Sequence, residues 1–302
     1  MIYDRATDTI VGNLGWVDHG SLWLYSVASG NEQRIAVEGA AYLDLRAGLN
    51  GLFRLTHHQS SGVAVSIRQY GNPVLELASL RFVGAEAVFA GDIALWWHVD
   101  PAVIVQTNKG PRLVRIDASQ ASVIDLDLSW FTESNYDVGY QGLVDCISLP
   151  DVGLVVVAVQ RSSELILIDT QRNQRVGAIT LARRGGNPML IRRSGSEFAA
   201  SDYDCLCIVD AAARAVRTSK PLQKPSPPLT QQFIGEYDLG DATCAVARPY
   251  SGDVLLLDIE TFAVRDSASV GAQPLAICMT SQSEFVTRDW KTGEVRVGHF
   301  SV

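Results

Sequence analysis

Seven side chains occupy corresponding positions in this sequence, where the second short apolar run of each of several repeats ends. They are Asp18, His57, Thr107, Arg161, Asp202, Arg248 and Arg288. Three are arginines, although the chain has 33 acidic and 25 basic residues and a net charge of −8. Converging guanidinium groups bind carboxylates or phosphates well, because each offers a two-pronged donor. The set predicts either a site for an acidic group or solvated turn residues that pair with one another.

Three aromatic side chains stand within two residues of these positions: Tyr203, Tyr250 and Trp290. Arginine and aromatic side chains contribute a large share of the binding energy at protein interfaces. We therefore expect the seven residues and these three aromatics to line one surface. That surface would bind a protein partner or an anionic small ligand.

Histidine and aspartate could also do acid–base chemistry here. His19 follows Asp18 directly, and His57 is followed by His58. If the protein is an enzyme, His57, His19 and Asp202 are the candidate acids and bases. Neighbouring residues on a strand point to opposite faces, so His57 and His58 do not readily share one metal ion. We expect no metal and no cofactor, and the sequence contains no G-x-S-x-G, P-loop or G-x-G-x-x-G motif.

The elements that must position these residues are short and repeated. Four apolar runs each end in an aspartate followed by a polar turn, and successive aspartates are 52, 41 and 48 residues apart. Repeats of about 40–50 residues occur in several repeat architectures. The runs are RLVRID, ELILID, CLCIVD and VLLLD, which end at Asp117, Asp169, Asp210 and Asp258. They are too short for helices, and LILI and VLLL do not alternate, which predicts strands buried on both faces. The aspartate then opens a tight turn.

The unit NPMLIRRSGSEFAASDYDCLCIVDAAARAVRTS reads as four consecutive strands. With N-P opening the first strand and I-D or V-D closing the third, it resembles the YVTN-type and WD40-like propeller repeat. The resemblance implies an all-β fold, a seven-bladed β-propeller with four-stranded antiparallel blades, formed by one domain over residues 1–302. The final segments, PLAICMT, EFVTRDW and EVRVGHF, predict a three-stranded last blade. The resemblance concerns the fold, and it brings no catalytic residue with it.

Composition narrows the classes of partner. Hydrophobic residues make up 47% of the 302 residues, which is typical of a folded chain. No basic run, no long apolar segment and no signal-peptide pattern is present, so we expect no nucleic-acid partner and no membrane. The five cysteines lie in apolar runs, which favours reduced, buried thiols and a cytoplasmic location.

Two functions fit these observations. The first is a non-catalytic recognition module that binds a protein partner or an anionic small ligand. The second is a propeller enzyme of the lactonase, lyase or isomerase type, which would act on a small molecule that bears a carboxylate. The missing catalytic constellation favours the first, and the enzymatic question stays open at the level of sequence.

Overall fold

The computed structural model describes the chain as short β-strands joined by turns. It covers residues 1–19, 21–36, 42–47, 52–59, 62–69, 75–83, 102–107, 110–117, 122–125, 143–159, 164–172, 174–181, 189–202, 205–222, 234–271 and 273–301. The described helical elements are a one-turn helix, α1 (Gly15–Asp18), and a 3-10 turn at Pro150–Val152. The prediction of an all-β chain is confirmed.

The described strands form antiparallel sheets, each built from consecutive strands. The N-terminal sheet contains β1 (Ile2–Asp4), β2 (Thr9–Gly12), β3 (Ser21–Ser26) and β4 (Glu32–Ala36). The next contains β5 (Tyr42–Ala47), β6 (Leu52–Gln59), β7 (Gly62–Gln69) and β8 (Leu75–Val83). Another contains β9 (Ala102–Thr107), β10 (Gly110–Asp117) and β11 (Ser122–Asp125).

The remaining sheets follow the same order. One contains β12 (Leu143–Leu149), β13 (Leu154–Val159), β14 (Glu164–Asp169) and β15 (Gln174–Thr180). One contains β16 (Leu190–Arg192), β17 (Glu197–Asp202), β18 (Cys205–Asp210) and β19 (Ala215–Pro221). One contains β20 (Tyr237–Leu239), β21 (Thr243–Arg248), β22 (Asp253–Asp258) and β23 (Val264–Ser269). The C-terminal sheet contains β24 (Pro274–Met279), β25 (Glu284–Asp289) and β26 (Val295–His299).

The aspartates of the repeat end strands, as predicted. Asp117, Asp169, Asp210 and Asp258 are the last residues of β10, β14, β18 and β22. In the three of these turns whose side chains are described, the Oδ1 atom accepts hydrogen bonds from the backbone N–H groups two and three residues ahead. This geometry explains why aspartate recurs there, since its short side chain satisfies the turn backbone.

The chain divides into two compact units. The first consists of Met1–Glu38, Tyr203–Leu206 and Lys220–Val302, and the second of Gly39–Asp202 and Cys207–Ser219. A single domain over residues 1–302 stays a prediction.

In the first unit, the two ends of the chain share a hydrophobic core. Ile10, Trp23 and Tyr25 of the N-terminal sheet pack with Cys278 and Val286 of the C-terminal sheet. A second core lies between the C-terminal sheet and the sheet of β20–β23. These sheets therefore pack face to face, and each is a separate hydrogen-bonded sheet.

In the second unit, the non-alternating apolar runs are buried on both faces, as predicted. Residues 155–158 of β13 and 165–168 of β14 have almost no exposed surface.

Cys205, Cys207, Cys244 and Cys278 are free and buried in strands, which confirms the predicted state of those four thiols. Among the residues that the structure describes, no helix has the length and apolarity that a membrane crossing needs.

Candidate functional site

Asp18 lies in the connection between β2 and β3. The alignment of strand ends placed it at the end of a strand, but β2 ends at Gly12 and the chain then forms α1. The Asp18 carboxylate turns back to the start of the helix, where Oδ2 accepts the Leu14 N–H at 2.7 Å. Its side chain is fully buried, so the charge needs a partner inside the protein.

Arg288 supplies that partner. Its Nη1 and Nη2 donate to Asp18 Oδ2 and Oδ1 at 2.6 and 3.0 Å, and the Arg288 side chain is also fully buried. The Nε donates to the Gly293 carbonyl at 3.3 Å, and the guanidinium carbon lies 4.2 Å from the centre of the Trp23 ring. A bidentate pair with a satisfied third donor ties the C-terminal sheet to α1.

The position of Arg288 within its strand explains this inward orientation. β25 ends at Asp289, so Arg288 is the second-to-last residue, whereas Arg248 and Asp202 are the last residues of their strands. A shift of one residue on a strand turns a side chain to the opposite face. Arg288 therefore differs in orientation from Arg248, with which the sequence aligns it.

Arg34 is a third member of this cluster that sequence reasoning missed. Its Nε lies 3.5 Å from Asp18 Oδ1, while 54% of its side chain is exposed. One buried carboxylate thus faces two guanidinium groups, and the group of three carries a net charge of +1. Arg34 lies on β4 opposite Trp23, a pairing visible only once the strand register is known.

Arg248 is likewise engaged with an aspartate. It ends β21 and lies directly opposite Asp253 of β22. Its Nε donates to Asp253 Oδ1 at 2.8 Å, its Nη2 donates to Oδ2, and the two side chains are only 14% and 20% exposed. Arg248 and Arg288, the described arginines among the candidates, thus each direct two donors at an aspartate.

The aromatic candidates Tyr250 and Trp290 lie in turns after the second strands of adjacent sheets. Tyr250 is partly buried in a turn where Ser251 and Gly252 donate their N–H groups to the Arg248 carbonyl. Trp290 is partly buried and donates Nε1–H to Gln273 Oε1 at 2.5 Å. A hydrogen bond therefore holds the Trp290 ring, which lowers the entropy lost on binding a partner, and backbone hydrogen bonds close the turn that carries Tyr250.

Asp289, which sequence analysis did not single out, organises the Trp290 turn. Its Oδ1 accepts the N–H groups of Lys291 and Thr292, and its Oδ2 accepts the Gln273 N–H at 2.8 Å. Burial alone would raise the pKa of Asp289, but these N–H donors hold it below the ordinary value. The signal was available, because Asp289 is an aspartate that ends a strand before a polar turn.

The remaining candidates are only partly placed. His19 is exposed and has a left-handed backbone (φ 50°) directly after α1, while the adjacent Asp18 carboxylate is engaged by Arg288. For His57, within β6, and for Thr107 and Asp202, which end β9 and β17, the structure describes the backbone only. Arg161 and Tyr203 lie outside the described residues. Within the described part of the chain, no three histidine, cysteine or acidic side chains are grouped to hold a metal.

Comparison with known proteins bears on the fold. No protein-family model and no curated protein matches the sequence. Solved structures do match. The Cps50 (Swd1) β-propeller domain of Myceliophteria thermophila has a TM-score of 0.68 at 11% identity, over 99% of this chain and 95% of that one. A chain of the mitotic checkpoint complex has a TM-score of 0.65 at 9% identity, covering 99% and 88%. A protein from Lactobacillus plantarum has a TM-score of 0.66 at 10% identity, covering 93% and 90%.

The fold is that of a β-propeller, and it resembles the WD40-like propellers. This confirms the resemblance seen in the repeat. Asp18, Tyr250 and Trp290 all lie between the second and third strands of their sheets. That connection is where the repeat predicts the candidate residues.

Proposed function

We propose that this β-propeller is a non-catalytic recognition module that binds a protein partner through the connections between the second and third strands of its blades. One structurally similar chain comes from the mitotic checkpoint complex, so the fold serves in a protein assembly there. We further propose one cytoplasmic ring of seven blades, four-stranded except for the last, in which His57, Thr107, Arg161, Asp202 and Tyr203 extend the same surface.

The observation that carries the proposal is the contrast between the arginines and the aromatics. Arg248 and Arg288 each direct two donors at an aspartate, so their charge is largely balanced within the protein. Tyr250 lies on a turn closed by backbone hydrogen bonds, the Trp290 ring is bonded to Gln273, and both residues remain partly accessible. Fixed aromatic side chains are typical anchors of protein interfaces, whereas an anion would need unbalanced cationic donors. The contrast favours a protein partner over an anionic small molecule.

Site-specific photo-crosslinking tests this proposal. A photoreactive phenylalanine analogue replaces Tyr250 or Trp290 in cells of the source organism, and an exposed residue of the β22–β23 turn, Thr261, serves as the control position. We expect the same discrete protein adduct from both aromatic positions and none from Thr261. Equal adducts from all three positions, or none, would contradict the proposal. A small anion that stabilises the wild type but not Arg248→Ala would instead support ligand binding.

A further inference from the structure

The outermost strand of the C-terminal sheet differs from the strands that correspond to it. β26 is the third strand of its sheet, as β18 and β22 are of theirs. Those two strands have a fourth strand beside them, and they are almost fully buried. In β26, by contrast, Val297 is 45% exposed, and the His299 side chain is 65% exposed.

The hydrogen bonds to β25 show which backbone groups of β26 point outward. Asp289 N donates to Glu294 O at 2.9 Å, and Phe300 N donates to Ser283 O at 2.7 Å. Hydrogen-bonded residues recur every second position in an antiparallel pair, so the even-numbered residues from Glu294 to Phe300 face β25. The odd-numbered residues therefore turn their N–H and C=O groups away from the sheet.

Ser301 confirms this direction, because its N–H donates outward to Asp266 Oδ2 at 2.6 Å. The backbone N–H and C=O groups of Val295, Val297 and His299 point in the same outward direction. In the part of the chain that the structure describes, no strand pairs with this edge. The edge is thus a short template of donors and acceptors with the spacing that another β-strand requires.

The surroundings of the edge indicate what kind of strand fits. Val297 lies opposite Val286, and Arg34 lies opposite Trp23. Directly opposed residues project to the same face, and Val286 and Trp23 share one core. Val297 and Arg34 therefore lie on faces that look toward each other, both well exposed. Asp18 balances Arg288 as well as Arg34, so the exposed end of Arg34 retains positive charge.

We propose that the edge of β26 binds an extended segment of a protein partner by strand addition, with an acidic residue near Arg34 and an apolar residue beside Val297. Main-chain hydrogen bonds would supply affinity, and the side chains that alternate along the segment would supply selectivity. The inference deepens the proposed recognition function and rests on it. It uses an edge separate from Tyr250 and Trp290.

The test uses a substitution that removes one outward donor. Val297→Pro deletes an N–H that points away from β25, so the ladder between β25 and β26 is kept, and proline is tolerated on edge strands. A phage-displayed library of random short peptides is selected on the full chain. Enriched peptides are then measured by fluorescence anisotropy. We expect the selected peptides to carry an apolar and an acidic residue separated by an even number of positions, so that both point to the side of Val297 and Arg34. Binding should be weaker by about tenfold in Val297→Pro, the effect of one main-chain hydrogen bond.

Two variants separate the contributions. Val297→Ala retains the donor, so it should bind much more tightly than Val297→Pro. Arg34→Gln should reduce binding of acidic peptides more than binding of neutral ones. Equal binding by Val297→Pro and Val297→Ala, or no enriched peptide, would overturn the proposal. A wild type that light scattering finds dimeric, with Val297→Pro monomeric, would assign the edge to a second copy and would also overturn it.

Amide hydrogen exchange gives an independent readout. The amides of Val295, Val297 and His299 should exchange rapidly in the free protein and become protected with the peptide, while those of Arg296 and Gly298 stay protected throughout. Outward amides that are already protected in the free protein would refute an open edge. Loss of crosslinks at Tyr250 and Trp290 would leave this result unchanged, so the two proposals fail separately.

Discussion

Asp18 and Arg288 are the residues whose roles differ most from what their types suggest. An arginine near a strand end suits an anion site. Here, however, two donors of Arg288 bind the buried carboxylate of Asp18, which lies 270 positions away in the chain. Desolvating both charges is costly, and their mutual attraction with the surrounding hydrogen bonds offsets that cost. The pair joins α1 to the C-terminal sheet.

Removing one member of this pair should be severely destabilising. Arg288→Ala leaves the Asp18 charge buried with only Arg34 nearby, so we expect a loss of about 3–5 kcal/mol in the free energy of unfolding, measured in urea. Asp18→Ala/Arg288→Ala should recover part of that loss, because no unpaired charge remains. Arg248→Ala is the matched control, and its loss should be smaller because that pair is partly exposed. Equal losses for Arg288→Ala and Arg248→Ala would contradict a special role for burial.

Cys278 should be chemically inert in the native protein. Burial raises the pKa of its thiol, and the nearby Asp238 and Glu236 carboxylates raise it further. Because the thiolate is the nucleophile, iodoacetamide at pH 8 should not label Cys278 until the chain is unfolded in urea. Mass spectrometry of peptides from the native and the unfolded protein checks this. Rapid native labelling would mean that this part of the core opens readily.

At the scale of elements, the recurring aspartates stabilise the turns that follow the strands. Asp210 ends β18, and its Oδ1 accepts the N–H groups of Ala212 and Ala213 as well as the Ser196 hydroxyl. It thus ties the turn after its own strand to the turn before β17. Similar bonds at Asp169, Asp258 and Asp289 shape the turns that follow their strands, and the Asp289 turn contains Trp290.

Asp210 should give an acid-sensitive contribution to stability. The Ala213 N–H and the Ser196 hydroxyl lower its pKa below 3.8, so the contribution is present above that pH and is lost as the pH falls below it. Asp210→Ala should cost about 1–2 kcal/mol at pH 7. Asp210→Asn keeps an acceptor oxygen, so it should cost less and should lack the acid step. Urea unfolding from pH 7 to pH 2 measures this, and identical acid curves for wild type and Asp210→Asn would refute it.

Within the first unit, the two ends of the chain form one structural body. The N-terminal sheet contributes Trp23 and Tyr25 to a core that is completed by Cys278 and Val286. The Asp18–Arg288 pair lies beside that core, and Gly293, at φ +72°, approaches Val17 so closely that a Cβ would meet it at 2.5 Å. Close packing of this kind makes separate opening of either sheet unfavourable.

The amides of β3 and β25 should therefore open together. Native-state hydrogen exchange at increasing urea should give similar opening free energies for both strands, although they are far apart in sequence. Gly293→Ala should lower both values by similar amounts, because its Cβ and its φ both disturb the contact with Val17. A fall confined to the C-terminal sheet would show that the two sheets unfold independently.

Much of the architecture was predictable from short-range patterns. Runs such as LILI and VLLL need burial on both faces, and an aspartate that ends such a run satisfies the turn that follows, so strands and turns could be inferred locally. The propeller fold was implied by the resemblance of the repeat. Tyr250 and Trp290 lie on the predicted connections for the same reason.

Tertiary structure alone decided which charges meet. Asp18 lies in a helical turn that no alternation of apolar residues predicts. Arg288 lies one residue before the end of its strand, so its side chain points inward and pairs with Asp18. Arg34 joins them only through the register of β3 and β4, and the open edge of β26 depends on which backbone groups face β25. Sequence determined the strands because burial and turn chemistry act over a few residues. Pairing across 270 positions depends on how whole sheets pack, which no local pattern encodes.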